Sequence, residues 1–336
     1  MHTRQLGPFE VSAIGLGCMN MSSGYGAADD ETSAELLLGA LDAGYRFFDT
    51  AAVYGDGHNE ALLGRVLNRR RQEFILASKG GLSKDASGKT RVNGRPDVLK
   101  RQCEQSLRRL QTDVIDLYYL HRLDPDVPIE ESVGALGDLL RQGKIRALGL
   151  SEVCTDTLRR GHREHPISAV QSEYSLWSRT PERSMLAACE ELDINFVPFS
   201  PLGRGFLTGK AEDVSCLGEG DLRMSIARPR FEPDNFASNS TLLGPMRDIA
   251  SQQGCSLAQL ALAWLLARSD NRLVPIPGTK HIDYMRENAQ AARLELPAAV
   301  VEELDQLINE GSVSGTRYTD ALMATIDSER DGAVAD

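Results

Sequence analysis

The sequence predicts an α/β protein folded as a (β/α)8 TIM barrel, with an N-terminal β-hairpin cap and long loops on the C-terminal face. Three observations carry this prediction. Short apolar runs alternate with amphipathic helical patterns along most of the 336 residues, and short strand–helix connections demand parallel pairing. Three successive strand-like runs end in chemically useful residues: Phe47-Phe48-Asp49 in an acid, Phe74-Ile75-Leu76-Ala77-Ser78 at Lys79, and Val114 to Leu120 at His121, with Tyr54 just past the first. In a parallel barrel such ends converge on the face where active sites form. A doubly wound sheet brings a GxGxxG turn after its first strand, and Ile14-Gly15-Leu16-Gly17 lacks the third glycine.

Taken in order, residues 3–12 read as a hairpin, Arg4-Gln5-Leu6 and Phe9-Glu10-Val11-Ser12 around a Gly-Pro turn. Ile14 to Met19 follows as a first buried strand, and Asp30 is placed to N-cap a helix ending near Gly44. Further strands are expected at 46–49, 74–78, 114–120, 145–150, 168–173, 194–199 and 273–277. Helices are expected near 59–69, 96–109, 130–142, 155–164, 181–191 and 253–268. The result is one domain over 1–336 with eight strand–helix units. Residues 200–240 are rich in glycine and proline, and a loop of that length in a compact domain is usually functional. Ser328 to Asp336 is polar enough to form a frayed tail.

Hydrophobic residues make up 41% and charged residues 25% of the chain, the balance of an ordinary soluble protein. The net charge of −11, from 48 acidic and 37 basic residues, argues against general nucleic-acid binding and against anionic membranes. Cys18, Cys103, Cys154, Cys189, Cys216 and Cys255 form no CxxC pair and read as reduced thiols. The first residues lack the apolar segment of a signal peptide and no apolar run is long enough to span a bilayer, so a cytoplasmic protein is expected. His162-Arg163-Glu164-His165 reads as a solvated helix end and not a metal site, and Arg69-Arg70-Arg71 as a complement to a helix C-terminus. There is no P-loop, HExxH or GxSxG element.

The strand ends hold the chemistry. A buried phenol donates a proton at neutral pH if its pKa of about 10 is brought down. A nearby ammonium does this, and a carboxylate keeps the ammonium charged. Tyr54, Lys79 and Asp49 have the types for such a relay, and His121 is placed to hydrogen-bond a substrate oxygen. The set suits protonation of a carbonyl oxygen while hydride reaches its carbon.

The stretches Gly44 to Ala51 with Tyr54-Gly55, Ala77-Ser78-Lys79, Asp116 to His121, Gly149 to Glu152, Val170 to Ser175, Phe199 to Gly205 and Ile276 to Lys280 together resemble the aldo-keto reductases. The resemblance runs over nearly the whole chain, in the branch near pyridoxal and aryl-aldehyde reductases and potassium-channel β subunits. It implies NADPH/NADP+ bound in an extended pose, and a tetrad of Asp49, Tyr54, Lys79 and His121 with Tyr54 as general acid. By the same resemblance Ser151 and Gln171 hold the nicotinamide carboxamide, with Glu152 where the family usually has asparagine, and Phe199 stacks on the nicotinamide. Ser200, Leu202, Gly203 and Arg204 wrap the pyrophosphate, and Gly278, Thr279, Lys280, Glu287 and Asn288 hold the adenosine end. Lys280 is expected at the 2′-phosphate; Tyr284 replaces an arginine common in the family, with Arg286 as a possible substitute. Met19, Tyr25, Tyr174, Trp177 and the loop 223–236 are the expected walls of a pocket for a small carbonyl substrate. The alternative implied by the same branch is a cofactor-binding regulatory subunit with little turnover. Oligomeric state is left open.

Overall fold

The computed structural model describes residues 1–210, 214, 217–218, 220–269 and 271–332. Strands β1 (Thr3–Leu6) and β2 (Phe9–Ser12) form the expected antiparallel hairpin. The barrel strands are β3 (Leu16–Gly17), β4 (Phe47–Asp49) and β5 (Ile75–Gly80). A small exposed hairpin follows, β6 (Leu82–Lys84) with β7 (Thr90–Val92), which the hydrophobic pattern did not reveal. The barrel resumes with β8 (Ile115–Leu120), β9 (Ile145–Ser151), β10 (Ala169–Glu173) and β11 (Asn195–Phe199). Among the described residues the order β11-β10-β9-β8-β5-β4-β3 is parallel throughout.

The expected strand at 273–277 closes the barrel between β11 and β3, but its ladder is incomplete. Val274 and Ile276 donate to the carbonyls of Phe196 and Pro198, while the carbonyls of Pro275 and Pro277 accept from Gly15 and Gly17. Proline has no N–H to return toward β3, so that side carries bonds in one direction only.

Helices α1 (Asp30–Asp42), α2 (His58–Leu67), α3 (Pro96–Leu110), α4 (Ile129–Arg141) and α5 (Thr155–Glu164) follow their strands as expected. Asp29, one residue before the expected Asp30, is the true N-cap of α1, accepting from the Thr32 N–H at 2.7 Å. The helix expected over 181–191 is shortened to α6 (Met185–Glu191), because Ser184 leaves helical backbone at φ −159° after a turn over Thr180–Arg183. Helices α7 (Pro233–Ser240) and α8 (Leu243–Gln252) precede α9 (Leu257–Ala267), which starts at a Ser256/Gln259 capping box and not at 253. Helices α10 (Ile282–Gln290), α11 (Ala298–Leu307) and α12 (Asp320–Met323) complete the chain. Among the described residues no helix is long and apolar enough to cross a membrane. The five described cysteines are free thiols; Cys216 lies outside the described residues.

Strand alternation sorts side chains into two layers. Phe47, Ala77, Leu117, Tyr119, Ala147, Ala169, Val197, Val274 and Ile276 fill the barrel interior, together with Leu6 and Val11 of the hairpin. The alternate residues, among them Phe48, Leu76, Tyr118, Leu148, Val170 and Phe196, pack outward against the helices. The Gly7 N–H donates to Asn195 Oδ1 at 2.7 Å, fixing the hairpin over the N-terminal ends of the strands. The same alternation carries Asp49, Lys79, His121, Ser151, Gln171 and Phe199 onto the inward-facing rows, at the opposite end.

The tail expected to be frayed is ordered over 328–332, and 333–336 lie outside the described residues. Asp327 Oδ2 accepts from the Cys154 N–H at 2.9 Å and Asp331 Oδ1 from the Thr155 N–H at 2.9 Å. These N–H groups belong to the start of α5, where carboxylates are stabilised. Beside them lies a buried ionic cluster. Arg317 Nη2 donates to Glu152 Oε2 at 2.6 Å and Arg317 Nε to Glu329 Oε1 at 2.5 Å. Glu173 accepts from Arg204 at 2.7 Å and lies 3.7 Å from Arg317. The polar composition of the tail is therefore the means of its docking.

Burial alone raises the Glu152 pKa, but Arg317 and Arg122 bring it down to about 2. A depressed carboxylate stabilises the fold above its unfolded pKa, and this contribution disappears as pH falls through the folded value. The Glu152 contribution is therefore complete above about 4.5 and lost toward about 2. Removing one partner of a buried pair costs about 3–5 kcal/mol. Arg317→Met should lower the urea unfolding free energy by that order and move acid unfolding to higher pH, as followed by circular dichroism; unchanged curves would make the cluster energetically idle.

Candidate active site

The backbone around Tyr54 is set by three consecutive residues in the left-handed region, Gly55 (φ 57°), Asp56 (φ 56°) and Gly57 (φ 89°). They fold the chain back immediately after β4. A side chain at Gly55 would also meet Ser22 Cβ at 2.9 Å, so this position requires glycine on two counts. The turn brings the Tyr54 hydroxyl to 3.4 Å from Lys79 Nζ.

Lys79 is wholly buried and fully engaged. Its Nζ donates to Asp49 Oδ1 at 2.5 Å and to the Thr50 carbonyl at 3.0 Å. The second Asp49 oxygen accepts from Gln171 Nε2 at 2.8 Å. One carboxylate therefore fixes both the ammonium and the Gln171 amide. His121 sits just past β8, its N–H bonded to the Gly80 carbonyl at 2.8 Å. Its ring meets Tyr54 edge-on, with centroids 5.9 Å apart at 83°. The four tetrad residues are thus brought together as the sequence implied.

The electrostatics correct one expectation. Burial raises the Tyr54 pKa, Lys79 opposes it, Asp49 adds to it, and the net result lies above the usual phenol value, not below it. The ammonium cannot outweigh burial because its shortest contact, 2.5 Å, is to Asp49. Tyr54 therefore remains a neutral phenol. Burial lowers the Lys79 pKa, but Asp49 and then Tyr54 together outweigh it and hold it above its ordinary range. Burial, then Arg122 and Lys79, push His121 well below the usual imidazole value, so it is neutral at pH 7. Its Nδ1 has no hydrogen-bond partner among the described residues.

A cleft of about 400 Å³ opens beside this cluster and runs toward α10. Ser151, Gln171, Phe199, Ser200, Leu202, Arg204, Gly278, Thr279, Lys280, Glu287 and Asn288 all lie on its walls, as do Met19 and Tyr25. Gly203 does not; it is buried beneath the turn, at φ 55°, where a Cβ would meet the Trp177 ring at 2.9 Å. Glu152 also turns away, to Arg317, from a left-handed backbone position at φ 55°.

Tyr174 and Trp177 are not on the cleft wall. Tyr174 points outward, with its ring against Phe196 and Trp264 and its hydroxyl 2.6 Å from Glu182. Trp177 is buried against Phe206, with stacked rings 4.0 Å apart, and against Phe231. Arg286 is exposed, lies 3.7 Å from Asp283 and stays off the cleft. The sequence reading missed Asn20, Arg122, Lys210, Leu222 and Tyr318, all of which line it. Arg122, adjacent to His121, was within reach of the strand-end argument. Tyr318 comes from a distant segment and gave no local signal.

With this geometry in place, comparison with known proteins is direct. The model of the aldo/keto reductase family matches residues 13–309. The chain is 41% identical over 322 residues to the NADP(+) aldo-keto reductase yakc of Schizosaccharomyces pombe, covering 94% of each protein. Among solved structures it resembles the glycerol dehydrogenase of Gluconobacter oxydans, with a TM-score of 0.83 at 26% identity over 99% of both chains. It also resembles an aldo-keto reductase of Klebsiella pneumoniae in complex with NADPH, with a TM-score of 0.71 at 27% identity over 94% of this chain and 98% of the other. The chain belongs to the aldo/keto reductase family.

Proposed function

We propose that the protein reduces aldehydes and ketones to alcohols with NADPH, Tyr54 acting as the proton donor. The observation that carries this reading is Lys79 Nζ, held between Asp49 Oδ1 at 2.5 Å and the Tyr54 hydroxyl at 3.4 Å on the wall of the cleft. NADPH, when bound, supplies the hydride that adds to the carbonyl carbon. The protein's task is then to deliver one proton to the carbonyl oxygen and stabilise the donor left behind. Tyr54 gives that proton. The Lys79 ammonium stabilises the resulting phenolate, and Asp49 keeps Lys79 charged and in place. Neutral His121 donates an N–H to the same oxygen and orients it.

The cleft residues fit a dinucleotide phosphate. Ser151 and Gln171 hold the carboxamide, Gln171 being pre-set by Asp49, and Phe199 lies against the ring. In the turn containing Ser200, Leu202, Gly203 and Arg204, the Gly203 N–H is taken by the Ser200 carbonyl at 2.9 Å, and the remaining N–H groups are offered to the pyrophosphate; φ is positive at Ser200, Gly203 and Arg204, a geometry that suits anions. At the far end Gly278 leaves room that a Cβ would take, 2.8 Å from Asn20 Oδ1. Among the described residues Lys280 Nζ donates only to the carbonyls of Tyr25 and Ala27, at 2.8 and 2.7 Å, and it stands next to the start of α10. A cation without a carboxylate partner beside a helix N-terminus suits the 2′-phosphate. The names of the yakc relative and of the Klebsiella complex, with NADP(+) and NADPH, support the same cofactor. The intact ion pair beside the phenol favours the enzyme over a purely regulatory subunit.

NADPH oxidation with a generic aromatic aldehyde tests the activity. Tyr54→Phe keeps the ring, so NADPH binding by fluorescence should persist while turnover falls by about two to four orders of magnitude; undiminished turnover would remove Tyr54 from the mechanism. Lys79→Met should act similarly.

A charge-assisted phosphate contact is worth about 1.5–3 kcal/mol, roughly ten- to more than a hundredfold in affinity. Lys280→Ala should weaken NADPH by that order and leave NADH nearly unchanged in fluorescence titrations. Equal losses for both cofactors would mean that Lys280 does not read the 2′-phosphate.

A further inference from the structure

The charges on the cleft wall are unequally matched. Arg204 is paired with Glu173 at 2.7 Å, Arg223 with Asp221 at 2.7 Å and Lys210 with Glu287 at 3.5 Å. Among the described residues Lys280 and Arg122 line the cleft without a carboxylate within 4.0 Å. Lys280 stands beside α10, where the cofactor's phosphate accounts for it. Arg122 stands at the other end, next to His121 and close enough to Tyr54 to act on the phenol's charge.

The guanidinium is held in a defined pose. Its Nη1 donates to the His121 carbonyl at 2.7 Å and to Ser151 Oγ at 3.2 Å. Its Nε and Nη2 make no hydrogen bond among the described residues. That free edge is the one that grips a carboxylate through two parallel N–H bonds. Glu152 is near enough for Arg122 to lower its pKa, but its carboxylate is bonded to Arg317, so the fork beside the proton donor stays free for an anionic oxygen pair from outside the protein.

We propose that Arg122 anchors a carboxylate on the substrate, and that the preferred carbonyl compounds are aldehydes or ketones bearing a carboxylate group. This rests on the reductase reading above. Met19, Leu222 and Ile226 line the same cleft and supply apolar surface for the carbon skeleton.

The test compares ortho, meta and para carboxybenzaldehyde with their methyl esters, using NADPH and the intact protein. At least one acid should exceed its ester in kcat/KM by about tenfold or more, the effect of one charge-assisted contact, and chiefly through KM. Arg122→Met should bring that ratio close to one, and Arg122→Lys should retain part of it. Should Arg122→Met fail to fold, the wild-type acid-to-ester ratio and the Lys variant still decide. The proposal is overturned if no acid exceeds its ester in the wild type, or if the ratio survives Arg122→Met. It is equally overturned if that variant loses NADPH affinity with the ratio intact, which would make Arg122 a cofactor residue. Ester reduction with no acid preference would sink this proposal alone, whereas no reduction of either series would sink the reductase reading as well.

Discussion

The site depends on one buried ion pair. Lys79 and Asp49 are 1% and 2% exposed and 2.5 Å apart, and the rings of Tyr54 and Tyr119 lie 5.1 and 6.0 Å from Lys79 Nζ. An ammonium alone at this depth would lose its charge to desolvation. Asp49 prevents that, and its second oxygen fixes Gln171, so the ammonium and one wall of the cleft share an anchor. The pair also sets the limits of the chemistry. Because Lys79 is closest to Asp49 and only 3.4 Å from Tyr54, it moderates the effect of burial on the phenol without reversing it. The site holds a neutral phenol beside a positive charge, the arrangement that the proposed carbonyl protonation requires.

Much of this was legible because strand alternation is a two-residue rule. Ala77 and Lys79 share a row, as do Leu117, Tyr119 and His121, and the sequence placed each polar member at a strand end. The same rule would have excluded Tyr174: Ala169 and Gln171 face inward, so Val170 and Tyr174 face the helices, which is where the structure has them. Trp177 follows the strand as a large aromatic, but its environment is made by Phe206 and Phe231 from the region 200–240, contacts that no local pattern encodes. The eighth strand illustrates a related limit. Its position was correct, yet Pro275 and Pro277 leave its β3 side with bonds in one direction only.

The C-terminal segment gave the largest departure. Polar composition reads as disorder when each residue is considered against water. Here Asp327 and Asp331 find the start of α5, and Glu329 finds Arg317. The carboxylates of Glu152 and Glu173, at the ends of β9 and β10, complete the cluster. It explains why glutamate is tolerated next to Ser151: its side chain serves the fold, leaving the serine to the cleft. Arg204 belongs to both, paired with Glu173 and lining the cleft, so docking of the tail and the shape of the cleft are linked through one side chain.

The central claim is that Tyr54 is a neutral phenol whose proton is available throughout the physiological range. It is tested most directly by the pH dependence of single-turnover rates in both directions with the wild-type protein. With the phenol pKa above its ordinary value of about 10, carbonyl reduction by NADPH should be flat from roughly pH 6 to 9, while alcohol oxidation, which needs the phenolate, should rise steadily across the same window. A reduction rate that falls with a midpoint near about 7 or 8 would contradict the account, placing the proton on a group that titrates near neutrality.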